Sequence, residues 1–482
     1  MTGIVSYGAY IPRYRIDRKI IYKAMGWLNP ATFMPGEKAV ANYDEDSITM
    51  AVAAGIDCLG DIDRNSVDGA FLASTTFPYN ERQSAQIMAD AFNMRSDIRT
   101  VDFADTLKSG TTAVLTALDT VKAGSAKNII VCASDIRKGK AGSIQEEMFG
   151  DGAASLLLGN DNVIAKVVGS HSVSYDFVDH WRSDTDKYDR QWEDRFIRDA
   201  AYKPFIIESI SEVLKKCGLE AKDIAKFAYP CLYAGDFKGI ARKFGLEETQ
   251  LQDPMINNVG FTGTGNPLML LVAALEDAKP GDKILVASFG TGSDAIIFEV
   301  TDEIEKIKGS RRGIKKNLAA KRNLDLYEKM IAFRELLPVE KGIRGEGMPF
   351  TPFSKLWRIR DQVHGLIGSK CTKCGTPQFP AQKVCVNPDC GAIGQMEKYS
   401  FSDKKGNLIM YTGDSLAFSP SPPETYGLLD FEGGGRYQFN ITDVDLENLS
   451  VGMSVEMSFR KKYVDTKFGV HGYFWKAVPV IE

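Results

Sequence analysis

A layered α/β fold of two successive strand–helix units, followed by a small all-β module, is what the sequence predicts. Three observations carry it. Short continuous apolar runs such as Asn128–Ala133 (NIIVCA) and Lys283–Ser288 (KILVAS) alternate with helical periodicities up to about residue 300, and runs of that kind are strands buried within a sheet. The same succession (strand, helix, strand, helix, strand, helix, strand, strand) occurs twice without evident sequence identity, which marks a structural duplication. Beyond Met396 the pattern changes to short alternating strands with glycine-rich turns.

In the first unit, Gly3–Tyr10 is a strand ended by Ile11-Pro12, and Asp44–Leu59 is a helix opened by Asp46-Ser47. Val67–Ser74 is a strand, and Glu81–Phe92 is a helix with Ala85, Met88, Ala89 and Phe92 on one face. The stretch Val101–Ala113 (VDFADTLKSGTTA) reads as a buried strand at Val101 and Phe103, a tight turn, and a helix through Thr112–Val121. Asn128–Ala133 and Gly152–Leu158 are the closing strands. In the second unit Ile164–Val168, Phe227–Pro230, Met255–Val259, Lys283–Ser288 and Ala295–Val300 are strands. Phe205–Lys216, Phe237–Phe244 and Pro267–Ala278 are helices.

Lys306–Arg322 holds eight basic residues and no acidic one. Two readings stand: a solvated linker or helix face, or a docking strip for phosphates or an acidic partner. Asn323–Leu337 is helical in pattern, and the glycine-rich Glu340–Thr351 is a domain boundary. The divisions are 1–300 for the duplicated core, 301–348 for the basic linker and helix, 349–396 for a metal-binding ribbon and 397–482 for a barrel. The last contains Leu408–Thr412, Tyr426–Phe431, Tyr437–Ile441, Ser454–Phe459 and Tyr473–Pro479, and five short strands fit a barrel of the OB type.

Composition narrows the function. With 44% hydrophobic and 25% charged residues the chain is an ordinary globular protein, and a net charge of −4 argues against bulk nucleic-acid binding. The N-terminus lacks the basic-then-apolar pattern of a signal peptide. The longest purely apolar run, Leu268–Leu275, is too short to span a membrane. Of eight cysteines, Cys58, Cys132, Cys217 and Cys231 are scattered, which is no secreted disulfide framework and places the protein in a reducing cytoplasm.

The remaining cysteines are the strongest local signal. Cys371-x-x-Cys374 and Cys385-x-x-x-x-Cys390 put four soft ligands on two knuckles, a pattern that suits a closed, structural zinc site rather than a catalytic one. Gly260-Phe261-Thr262-Gly263-Thr264-Gly265-Asn266-Pro267 lacks both the third glycine of a dinucleotide fingerprint and the Lys-Ser or Lys-Thr of a P-loop. It reads as a strand-to-helix turn with close backbone approach to a ligand, and Phe289–Ser293 as a similar loop. His171, His180, His364 and His471 stand in no triad context and receive no role. Asp179–Arg195, rich in aromatic and charged residues, is either a lid or interface, or a solvated insertion.

Residues 3 to about 300 resemble 3-hydroxy-3-methylglutaryl-CoA synthase of the thiolase superfamily, above all its archaeal-type branch. The segments that carry the resemblance are Ser74–Tyr79, Leu107–Thr111, Phe149–Ala154, Asn258–Gly260 and Ser288–Ser293. The region from about 350 onward resembles the rubredoxin-like zinc-ribbon and OB-fold proteins that accompany thiolases. The resemblance implies a five-layer αβαβα core, acyl-CoA substrates, and a homodimer or a heteromer with a catalytic thiolase. Coenzyme A would enter as part of the substrate, with Lys238, Arg242, Gly260, Phe261, Gly263, Phe289 and Ser293 around it. Matched without gaps, the family's nucleophilic cysteine falls on Leu107, its glutamate on Thr75, its histidine on Pro230 and its asparagine on Phe261. Leucine, proline and phenylalanine carry neither an acyl group nor a proton at neutral pH. A cysteine-based Claisen mechanism is therefore not expected.

Two functions remain from the sequence. One is acyl-CoA carbon–carbon bond chemistry of aldol or Claisen type, probed at Tyr229, Tyr233, Asp236, Thr75 or Tyr79, with Tyr233 and Asp236 the named catalytic candidates and Cys231 as either a displaced nucleophile or a plain core thiol. The other is a non-catalytic subunit that brings the zinc ribbon and barrel to an active thiolase.

Overall fold

The computed structural model describes residues 1–346 and 350–481; the expected boundary between residues 348 and 349 lies outside the described residues. Strands β1 (Gly3–Tyr10), β2 (Gly69–Ala73), β3 (Arg99–Phe103), β4 (Ile129–Asp135) and β5 (Gly152–Gly159) order as 3-2-4-5-1. Strands β6 (Ala165–Ser174), β7 (Lys226–Ala228), β8 (Lys283–Ala287) and β9 (Gly292–Val300) order as 6-9-8-7. The halves join where Gly3 and Ile4 of β1 pair with Lys166 and Ala165 of β6.

Side-chain alternation along the strands explains the layers. On β4, Ile129, Val131 and Ala133 pack into a central core, while Ile130 and Cys132 face a second core under helices α1 (Ser47–Leu59) and α2 (Ser84–Ala91). On β8, Ile284 and Val286 face the same central core, while Leu285 and Ala287 face a third core under α4 (Lys203–Cys217) and α5 (Ala234–Lys243). The central core is filled by α3 (Ser109–Lys122) and α6 (Asn266–Asp277). Residues 266–275 of α6 are all buried, as a helix between two sheets requires. The expected five layers are present, and a capping box of Asp46 and Thr49 opens α1 where the sequence places it.

Three expectations change. Val101 and Phe103 are half-buried, because β3 is the edge strand of its half. Met255–Val259 is not a strand: Met255 has φ +56°, and its carbonyl accepts the N–H groups of Val259 and Gly260 at 2.9 and 3.1 Å. The Asn257 and Val259 carbonyls accept from Glu37 and Ala39 at 2.8 Å each, so this turn braces the site from the other half. The basic run is no free linker. Ile314 joins the central core with Ile307 and Leu318 packed against it, Arg312 pairs with Glu456, and Arg322 pairs with Asp445. Glu456 and Asp445 belong to the chain's own barrel, so two arginines of the strip do dock acidic groups, in cis.

After Phe353–Val363, a three-stranded ribbon of Ile367–Cys371, Pro377–Gln378 and Met396–Ser400 carries the clustered cysteines. The barrel strands are β10 (Gly406–Asp414), β11 (Glu424–Phe431), β12 (Arg436–Asn440), β13 (Ser454–Asp465) and β14 (Val470–Pro479), in the order 12-11-10-13-14. A bridge between Ile441 and Ala477 brings the two ends together. The barrel is fastened to the N-terminal end of α1 by a buried ionic cluster. Arg460 contacts Asp44 (3.0 Å), Glu45 (2.9 Å) and Asp443 (2.6 Å), and Lys476 contacts Asp44 (2.9 Å). The Tyr473 hydroxyl donates to the Asp46 carboxylate at 2.8 Å, so the cap of α1 is also a barrel contact.

Candidate active site

The turn between β3 and α3 sets the floor of the site. Asp105 takes φ +69°, and the Thr106 hydroxyl accepts the Thr291 N–H at 3.2 Å. Gly290 presses on this turn so closely that a Cβ there would lie 2.5 Å from Thr106 Oγ1 and 2.9 Å from the Lys108 nitrogen. Loop 289–293 thus serves close approach, to the α3 turn itself. Leu107, immediately before α3, packs with Met148, Phe149 and Phe261 in a small apolar cluster of its own.

Above that cluster lies a cavity of about 240 Å³. Leu107, Met148, Phe149, Phe261, Met34, Ile144, Ile197 and Leu232 line it, with Arg137, Asp179, His180, Gln191, Asp194 and Tyr233 as its polar wall. The polar groups are ordered against one another. Arg137 lies 4.2 Å over the Phe149 ring and donates from Nε to Asp189 at 2.7 Å, and Asp189 also takes Arg182 at 2.6 Å. The Tyr233 hydroxyl donates to Asp194 at 3.2 Å and accepts from Gln191 at 3.3 Å. Burial, and then Asp194, hold that phenol well above the usual tyrosine range, so it donates a hydrogen bond but does not ionise near neutral pH. His180 Nδ1 lies 2.9 Å from Asp179 Oδ2. A second cavity of about 370 Å³, lined by Lys140, Trp181, Arg190 and Trp192 among others, shares Gln191 and Asp194 with the first.

Of the residues expected around a substrate, Leu107, Tyr233 and Phe261 come together here. The others are placed elsewhere. Thr75 donates from its N–H (2.7 Å) and hydroxyl (3.0 Å) to Asp135, whose carboxylate also takes Ser74, Thr76 and the Thr264 N–H. Pro230 offers its carbonyl to the Tyr202 hydroxyl at 2.6 Å. Cys231 is buried, and burial pushes its thiol up to about 11, leaving almost no thiolate at neutral pH. Asp236 does not line the cavity; it pairs with Lys203 (3.2 Å) and Arg198 (3.5 Å).

Lys238 and Arg242 are exposed on α5 and line neither cavity. The glycines expected to approach a ligand approach protein instead. Gly260 (φ +96°) faces the Gly150 nitrogen and the Met148 carbonyl, each 2.8 Å from a Cβ built there. Gly263 (φ +60°) has its Cβ space filled by the Asp135 carboxylate. Phe289 is buried against Tyr202 at 5.5 Å between ring centroids. Ser293 shares a 2.7 Å hydrogen bond with Ser209 and donates to the Ser288 carbonyl at 2.6 Å.

Sequence reasoning did not single out Arg137, and it treated Asp179, His180, Gln191 and Asp194 only as part of an insertion read as a lid or interface, or as a solvated segment, with no role for any one of them. Four of the five sit in the aromatic and charged insertion 179–195, where a hairpin of His180–Trp181 with Arg190–Gln191 pairs His180 with Gln191. The adjacent Asp-His pair was the available signal.

The clustered cysteines meet as the spacing requires. All four sulfurs lie within 4.8 Å of one another. Cys371–Cys390 and Cys374–Cys385 are separated by 3.8 and 3.5 Å, too long for disulfide bonds. Two tight turns build the knuckles: Gly375 (φ +78°) donates to the Cys371 carbonyl at 2.8 Å, and Cys390 donates to the Asn387 carbonyl at 3.0 Å. Hydrogen bonds from Thr376 draw the Cys374 thiol down to about 6. A closed set of four sulfur donors fits zinc and leaves no open coordination position.

Comparison with known proteins agrees with this geometry. Residues 361–393 match the family described as "ChsH2, rubredoxin-like zinc ribbon domain", and residues 402–460 match "ChsH2, C-terminal OB-fold domain". A hydroxymethylglutaryl-CoA synthase of Methanopyrus kandleri is 33% identical over 320 residues, spanning 64% of this chain and 90% of that protein. One of Caldivirga maquilingensis is 30% identical over 354 residues, spanning 71% of this chain and 99% of that protein. The crystal structure of an HMG-CoA synthase complexed with CoA superposes with a TM-score of 0.61 at 18% identity, covering 73% of this chain and 95% of that one. The structure of 3-oxoacyl-[acyl-carrier-protein] synthase III from Aquifex aeolicus superposes with a TM-score of 0.55 at 18% identity, covering 62% of this chain and all of that one. The thiolase-like core, the zinc-ribbon domain and the OB-fold domain expected from the sequence are all present, and the chain belongs to the hydroxymethylglutaryl-CoA synthase family.

Proposed function

We propose that this protein binds a short acyl-CoA over Leu107 and takes part in making or breaking a carbon–carbon bond by aldol or Claisen-type chemistry, without a cysteine acyl-enzyme and in complex with a thiolase. The observation that carries this reading is the character of the cavity. It has an apolar floor at the N-terminal end of α3, whose inner face packs in the central core, and a polar wall that can move protons but holds no thiol. Its volume of about 240 Å³ is small for a ligand pocket and suits an acyl group alone. The adjoining cavity, with Lys140 and two tryptophans, offers a cation and aromatic faces to the rest of a coenzyme A. In this reading Lys140 takes the phosphate-binding part that the sequence assigned to Lys238 and Arg242, and Tyr233 rather than Asp236 is the residue against the acyl group.

Cys371, Cys374, Cys385 and Cys390 hold a structural zinc, and the ribbon and barrel are the units through which a thiolase partner is engaged. The divisions 1–300, 301–348, 349–396 and 397–482 describe the architecture, in a cytoplasmic protein. The second reading, a scaffold without activity, draws on the apolar residue at 107 and on the commitment of Thr75 to Asp135.

Incubation with acetyl-CoA followed by intact mass should show no covalent adduct, while calorimetry with the same compound should show binding. A co-purified thiolase should then support cleavage of a β-hydroxyacyl-CoA, and Tyr233→Phe should lower that rate with binding retained. An adduct mapped to Cys231 would refute the chemistry. A complex whose rate ignores Tyr233→Phe, and equally substitutions across the rest of the cavity wall, would favour the scaffold.

A further inference from the structure

The hairpin that closes the cavity carries a pair of residues suited to proton transfer. Of the four histidines in the sequence, His180 alone lines the cavity. Its Nδ1 lies 2.9 Å from Asp179 Oδ2, and Asp179 is 5% exposed. The Asp179 carbonyl in turn accepts the Trp192 N–H at 2.9 Å, which ties the two strands of the hairpin at this residue. The negative charge of a carboxylate this close to Nδ1 favours the tautomer protonated there, which leaves Nε2 as the proton acceptor. Among the described residues no hydrogen bond occupies that Nε2. The charged and titratable groups around it are Asp179, Asp194, Arg137 and Tyr233 on the cavity wall, with Asp189 and Arg182 behind Arg137. Arg137 is the one arginine or lysine among the lining residues, and Asp189 and the Phe149 ring hold its guanidinium.

We propose that Asp179 and His180 form the general base of this cavity: His180 Nε2 takes the α-proton of an acyl thioester seated over Leu107 and later gives a proton to the new hydroxyl group. The inference rests on the acyl-CoA reading above. In the condensing direction the C–H electron pair becomes the thioester enolate, with its charge on the thioester oxygen. That pair forms the carbon–carbon bond to an aldehyde or ketone, whose π pair moves to its oxygen. The resulting alkoxide takes the proton from Nε2. Cleavage is the same sequence reversed. No electron acceptor and no leaving group are involved, so neither a cysteine nor a redox cofactor is required. Asp179 is a positioning residue, acting through the imidazole.

The test uses the full chain and propionyl-CoA in D2O, with α-deuteration followed by mass spectrometry and binding by calorimetry. Wild-type protein should incorporate deuterium. His180→Gln should slow incorporation by about 10²–10⁴-fold with propionyl-CoA affinity nearly unchanged. His180→Ala should be restored in part by added imidazole, and Asp179→Asn should fall between. Incorporation by His180→Gln at the wild-type rate overturns the proposal. So does loss in His180→Ala that imidazole fails to restore, since that marks a merely structural role. Binding without exchange in the wild type overturns the base but leaves the acyl-CoA reading standing. Absence of propionyl-CoA binding to the wild type removes that reading, and this inference with it.

Discussion

The cysteine ribbon and the cavity are built in opposite ways. The ribbon draws its four sulfurs from one stretch between Cys371 and Cys390, and two short turns bring them together. The cavity draws its wall from segments scattered between Met34 and Phe261. The α3 turn, loop 137–149, the insertion hairpin and the segment after β7 each supply only one to a few groups. A site of the first kind is a local object, legible from spacing. A site of the second kind exists only once the two halves have closed over α3 and α6.

This contrast can be broken experimentally, and the largest effect is expected at the ribbon. Structural zinc contributes an apparent free energy on the order of 10–16 kcal/mol in small zinc domains. Cys374→Ser should therefore lose close to one zinc per chain by elemental analysis and unfold the ribbon, while binding of acetyl-CoA in the cavity persists. Loss of both together would mean that the two regions are one cooperative unit. Near-zero zinc in wild-type protein prepared without chelator would remove the metal assignment.

A middle-sized effect is expected at the junction between core and barrel. Arg460→Ala leaves Glu45 and Asp443 without their buried cation, and breaking a buried pair in this way costs about 3–5 kcal/mol. The barrel should then melt ahead of the core, splitting a single calorimetric transition into two. An unchanged, single transition would show that hydrophobic contacts alone hold the barrel in place.

The smallest effect concerns pH. Burial pushes the Glu147 carboxyl, beside cavity residue Met148, up to about 7 from an ordinary 4.5. Between those two values the unfolded chain loses this proton while the native protein keeps it. Stability from this group therefore falls as pH rises from about 4.5 to 7, and is level above. Glu147→Gln should flatten that limb in a plot of melting temperature against pH and leave the zinc content untouched. A limb unchanged by the substitution would assign it to other carboxylates.

The legible and illegible parts divide along the same line. Asp46 as a helix cap, Asn128–Ala133 as a buried strand, the central α6 and the four metal-site cysteines were all readable, because capping, apolar run length and ligand spacing are decided within a few residues. Met255–Val259 carries a strand-like apolar pattern, yet its carbonyls are claimed by Glu37 and Ala39, more than two hundred residues away. Gly263 reads as a ligand-facing glycine, yet the space it leaves is taken by Asp135 from the end of β4. Asp236 reads as an acid near the site, yet Lys203 and Arg198 of the preceding helical segment hold it on another side.

By itself, then, the sequence determined the duplicated α/β core, the ribbon with its sulfur ligands, the barrel, and an apolar residue at position 107. Tertiary structure decided which side chains share a cavity. It brought His180 and Asp179 from an irregular insertion to the cavity that Leu107 lines, turned the basic strip toward the acidic groups of the barrel, tied Thr75 to Asp135, and committed Ser293 and Cys231 to the interior. The reason is physical: periodicity and spacing report the faces of single elements, whereas a cavity wall depends on how separate elements lie across one another, and no local pattern encodes that.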